Sequence, residues 1–71
     1  MAKAYVVNRN VKRIIDKEDK RPSAVADKAG IRRDIFSRII HCRRPVYADE
    51  VLPIATALQC SVEDLFKEGS A

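Results

Sequence analysis

Between Ile31 and Arg44 the chain reads IRRDIFSRIIHCRR, with five arginines, Arg32, Arg33, Arg38, Arg43 and Arg44, against one acid, Asp34. An arginine presents a planar fork of N–H donors that suits phosphate oxygens or the O6 and N7 acceptors of guanine, and an aspartate can accept from a cytosine amino group. One outward arginine is commonly only solvated. Five of them beside a single acid form a pattern that suits a polyanion. Catalytic chemistry has little to build on. The lone histidine, His41, has no paired carboxylates near it, there is no glycine-rich phosphate loop, and neighbours such as His41 and Cys42 point away from each other on a helix. The expectation is a protein that is not an enzyme and needs no metal or cofactor.

The elements that would position these side chains are all helical in pattern. Apolar spacing predicts a first helix from Asn8 or Asn10 to Lys17, with Val7, Val11, Ile14 and Ile15 on one face and an asparagine as its cap. "KEDKR" is a charged connector. A second helix opens at Pro22, a residue favoured in a first turn, and stops at Ala29 before Gly30. The third spans about Arg32 to His41, with Ile35, Phe36, Ile39 and Ile40 apolar, and "CRRPVY" breaks it. The fourth runs from about Ala48 to Leu58 with Val51, Leu52, Ala55 and Leu58 inward, and Pro53 is expected to kink it or delay its start. The fifth opens on "SVED", where Ser61 and Asp64 approximate a capping box, and buries Leu65 and Phe66. No segment alternates like a strand, so the fold class is all-α.

Seventy-one residues suit one small domain, with residues 1–6 as an N-terminal extension and 68–71 as a tail. Charge is unevenly placed. Residues 1–45 hold thirteen Lys/Arg against five Asp/Glu, a net +8, and residues 46–71 hold one lysine against five acids, a net −4. A basic portion for a polyanion and an acidic end for water or a partner are implied. No apolar run could span a bilayer, and Cys42 and Cys60 lack metal-ligand spacing. With no secretory signal pattern, the thiols read as reduced and the protein as cytoplasmic.

Two helices joined by a short turn need particular residues at fixed offsets. Counted from Pro22, the fourth, fifth and eighth positions are Val25, Ala26 and Ala29, the ninth is Gly30, and the tenth, fifteenth and eighteenth are Ile31, Phe36 and Ile39. All seven suit the motif. The pattern resembles the Cro/phage-repressor type (lambda-repressor-like, XRE family) of helix–turn–helix domain, over about Val11 to Phe66. "AGIRRDIFSRI" looks like its turn and recognition helix, and "IATALQCSVEDLF" like its last two helices.

The resemblance implies a compact five-helix lambda-repressor-like bundle, a transcriptional regulator that puts its third helix in the major groove, and a homodimer on a two-fold site of double-stranded DNA. By position it implies base contacts from Arg32, Arg33, Asp34, Ser37 and Arg38. Phosphate contacts would come from Arg21, Ser23 at a helix N-terminus, His41, Arg43 and Arg44. Four departures stand out. Pro22 and Gln59 replace a common glutamine and glycine. Ile15 and Ile40 replace an arginine–glutamate pair, and are expected to touch. Cys42 stands at a usual glycine, so the third helix is expected to end differently. The rival reading is a protein-interaction module, such as an antitoxin or a phage accessory protein, working through the acidic end and a Leu65/Phe66 edge.

Overall fold

The computed structural model describes residues 5–67. Five helices follow one another as α1 (Val6–Lys17), α2 (Pro22–Ala29), α3 (Arg33–Ile40), α4 (Ala48–Leu58) and α5 (Val62–Phe66), with no strand among the described residues. Residues 68–71 of the expected tail, and 1–4 of the expected extension, lie outside them.

Helix α1 begins at Val6, earlier than the asparagine caps anticipated, because Val6 and Val7 are themselves buried. Asn8 and Asn10 are not caps. They sit inside the helix at 0% and 4% exposure, on different sides of it, and tie down distant backbone. Asn8 Nδ2 donates to Ile39 O at 2.8 Å and to Arg44 O at 2.7 Å, and Asn10 Nδ2 donates to Leu65 O and Lys67 O at 2.8 Å each.

The core gathers Val11, Ile15, Val25, Ala26, Phe36, Ile39, Ile40, Ile54, Ala55, Leu58 and Leu65. Ile15 and Ile40 therefore lie in one apolar core, where the lost charges would have needed each other. Helix α4 is the buried slab against α2 and α5. It starts at Ala48 and runs through Pro53, so the proline does not delay it. Two inward assignments fail. Leu52 is 64% exposed and Phe66 52%, because Val51, Ile54, Ala55 and Leu58 already fill the inner face of α4 and Leu65 alone closes α5.

Four helices end in one way. Past each of α1 to α4 a residue takes a left-handed conformation: Asp19 (φ 55°), Gly30 (φ 73°), Cys42 (φ 58°) and Gln59 (φ 59°). The following N–H of Lys20, Ile31, Arg43 and Cys60 reaches back five residues, to Ile15, Ala26, Arg38 and Ala55. This is the Schellman closure, which satisfies carbonyls the helix leaves open. The different ending expected for α3 without a glycine does not occur: left-handed Cys42 closes it as Gly30 closes α2. The start of α5 carries both arms of the expected capping box, Asp64 N–H to Ser61 Oγ at 3.1 Å and Ser61 N–H to Asp64 Oδ2 at 3.2 Å.

Candidate nucleic-acid interface

Gly30 is needed for its backbone angle and not for space, since a Cβ there would meet nothing within 4 Å. The left-handed turn, with Ile31 tucked against the core, swings the chain from α2 into α3. Helix α3 packs on α1 and α2 through Phe36, Ile39 and Ile40. Its other face carries Arg33, Asp34, Ser37 and Arg38, all exposed, with Arg32 just before it and His41 just after.

Ser37, Arg38, His41 and Arg43 meet around one open depression of about 280 Å³. His41 Nδ1 donates to Ser37 O at 2.8 Å, which leaves Nε2 turned away from that bond. Arg38 and Arg43 form no ion pair among the described residues. Their charge is available to an incoming polyanion.

At the other end of α3 the arginines already have acids. Arg33 spans the turn to Asp27 of α2, Nη2 to Oδ2 at 2.7 Å and Nε to Oδ1 at 3.2 Å. That hydrogen bond holds the Asp27 carboxyl below its usual range and keeps the Arg33 guanidinium firmly charged. Asp34 Oδ2 accepts from Arg32 Nη2 at 3.4 Å, within an ion pair whose Nε–Oδ1 separation is 3.3 Å, so its carboxylate is engaged within the protein. Asp34 also lies in the first turn of α3, where a negative charge suits the helix dipole.

Arg21 stands exposed at the N-terminal boundary of α2, and Ser23 lies in that helix's first turn, where no side chain caps the open amides. Arg44 is placed differently. Its guanidinium grips Glu50 with two bonds of 3.0 and 2.9 Å and lies 4.4 Å above the Tyr47 ring, with only a fifth of its side chain exposed. Glu50 also takes the Tyr47 N–H at 3.0 Å, and its carboxyl is held below the usual range chiefly by Arg44. The group clips the connector between α3 and α4, residues 41–47, to the start of α4, and Arg44 does not line the depression at the end of α3.

Three partners escaped the sequence reading: Asp27, Glu50 with Tyr47, and Asn8. Asp27 and Glu50 each lie six residues from their arginine, farther than helical pairing searches reach. Asn8 lies 31 residues from Ile39 and carried only a capping signal. Among the described residues no cluster of histidine, cysteine and acid could hold a metal ion, and no helix is long and apolar enough to cross a membrane.

An exposed, arginine-rich helix presented by a glycine turn, on a five-helix bundle, defines a helix–turn–helix DNA-binding domain. Residues 10–67 match the family model of the Cro/C1-type HTH DNA-binding domain, and the chain belongs to that family. Its fold is similar to the crystal structure of the restriction-modification controller protein C.AhdI from Aeromonas hydrophila, with a TM-score of 0.82 at 20% identity, over 93% of this chain and 100% of that one. A comparison with curated proteins finds none that matches.

Proposed function

We propose that the protein is a sequence-specific regulator of transcription whose helix α3 reads the major groove as one half of a homodimer on a two-fold operator. The observation that carries this reading is the exposed outer face of α3, with Arg38 on the Ser37–Arg43 depression at one end and Arg33 at the other. Arg32, Arg33, Ser37 and Arg38 are the base-edge candidates, and Asp34 joins them where its bond to Arg32 opens. Arg21, the amides near Ser23, His41 and Arg43 are the phosphate candidates. The clip to Glu50 gives Arg44 a different task, holding the connector that carries Arg43.

Size supports a second copy. The described residues extend 28 × 22 × 20 Å, less than the roughly 34 Å turn that separates two half-sites. Tyr47, Leu52 and Phe66, the large apolar side chains left exposed among the described residues, all belong to the α4–α5 half and offer surface to that copy. Localisation in the cytoplasm follows from this reading.

The test is selection from random duplexes followed by salt titration. Arg38→Ala should relax preference at one base pair and cost about 1–3 kcal/mol there. Arg43→Ala should weaken all duplexes alike and lower the salt slope by about one. Selectivity that survives both Arg33→Ala and Arg38→Ala would overturn the reader assignment. A partner captured through the acidic α5 end, with no duplex bound, would favour the antitoxin-like alternative.

A further inference from the structure

We infer that Asp27 is a specificity-determining positioning residue, which takes the side edge of the Arg33 guanidinium and thereby aims its free end at a guanine. The inference rests on the reading of α3 as the groove-facing helix.

A guanidinium carries five N–H groups, one on Nε and two on each terminal nitrogen. Asp27 occupies Nε and one hydrogen of Nη2, with its two oxygens at 3.2 and 2.7 Å. Those two donors lie on one side of the plane's long axis. Both Nη1 hydrogens and the second Nη2 hydrogen remain, and the Nη1/Nη2 pair is the end-on fork that matches guanine O6 and N7. No other acid pairs with Arg33 among the described residues, and its side chain is 67% exposed.

Two bonds to one carboxylate fix the plane of the guanidinium as well as its place. A free arginine would have to surrender several rotamers on reaching a base edge, and this one has surrendered them beforehand. The anchor is itself firm, because Asp27 lies on α2, which packs directly against α3 and α4. The depressed Asp27 pKa keeps the carboxylate charged through the neutral range, so the pairing is present wherever the protein would meet DNA.

Asp27 should also act against non-specific binding. It places a negative charge beside the interface, which opposes phosphates everywhere and is offset only where Arg33 finds its base. Removing it therefore moves selectivity and general affinity in opposite directions. A purely structural residue would lower both together.

The experiment uses duplexes selected by the wild-type protein from a random pool, their single base-pair variants, and the selected duplex with 7-deazaguanine at each guanine in turn. Wild type should show a preference of roughly 5- to 150-fold at the Arg33 position, and lose it with 7-deazaguanine there. Asp27→Asn should cut that preference severalfold at that one position, leave the other positions unchanged, and bind random-sequence duplex as tightly as wild type or more so. Arg33→Lys, which keeps the charge without the fork, should lose the same preference, and adding Asp27→Asn to Arg33→Ala should take nothing further. Thermal melting of each variant separates loss of fold from loss of reading. Full selectivity in a folded Asp27→Asn variant overturns the assignment, as does a double variant whose losses fall on two separate base pairs. A wild-type protein that binds every duplex alike overturns the operator reading as well.

Discussion

Asn8 shows how much one side chain can decide in a small core. Its Nδ2 holds both the last turn of α3, through Ile39 O, and the connector, through Arg44 O. Without the amide, Arg44 O loses its side-chain donor and Ile39 O keeps only the Cys42 N–H, and a carbonyl left unsatisfied where water cannot reach costs about 1–3 kcal/mol. Asn8→Ala should therefore destabilise by about 2 kcal/mol or more in chemical denaturation, with a duplex affinity that falls before the fold is lost, because α3 and Arg43 shift together. Asn10→Ala should destabilise without that second effect, since its bonds reach α5 and not the interface. Equal loss of duplex affinity in the two variants would refute the division of labour between them.

At the scale of the element, the repeated helix closure gives a graded test. Gly30 takes φ 73° freely, whereas Cys42 and Gln59 hold φ 58° and 59° with a Cβ in the way. Glycine at either site removes strain but adds freedom to the unfolded chain, and the balance favours stability by roughly 0.5–1 kcal/mol. Gln59→Gly and Cys42→Gly should each raise the melting temperature by roughly 2–8 °C in a domain of this size. Gly30→Ala should lower stability by about 1–2 kcal/mol by strain alone, since no atom stands in its way. The turn-and-helix pattern around Gly30 was legible because each position is fixed by local geometry: Val25, Ala26, Phe36 and Ile39 are all buried as their offsets require. Leu52 was not legible. An apolar residue beside other apolar residues on α4 has no local mark that says which of them the bundle has room for.

Across the whole molecule the charge divides along the chain, +8 in residues 1–45 and −4 in residues 46–71, and some acids also bind the structure together. Glu50 sits under Arg44, and Asp64 closes the capping box of α5, so both carboxyls lie below their usual range, Glu50 chiefly through Arg44 and Asp64 chiefly through the Ser61 amide. A carboxyl whose folded pKa is depressed contributes stability above its unfolded pKa and loses it as pH falls through the folded value. Stability should therefore hold from neutrality down to about pH 4.5, the ordinary Glu value, and decline below it. Glu50→Gln should flatten that decline when stability is followed by denaturant titration between pH 6 and 2. An unchanged slope would remove the ion pair from the acid transition. The fold itself tolerates wide change, since it is similar to a controller protein with which it shares only 20% of its residues.

By itself the sequence determined the all-helical class, the glycine turn, the seven offsets of the two-helix motif and the face on which the arginines stand. Each of these follows from periodicity or from a backbone angle, which neighbours along the chain suffice to set. The partners of those arginines were decided only in three dimensions. Asp27 meets Arg33 because a left-handed residue folds α2 back toward α3, and Glu50 meets Arg44 because the connector doubles onto α4. Charge pairing depends on distance through space, and a few ångströms of separation there correspond to no fixed interval in sequence.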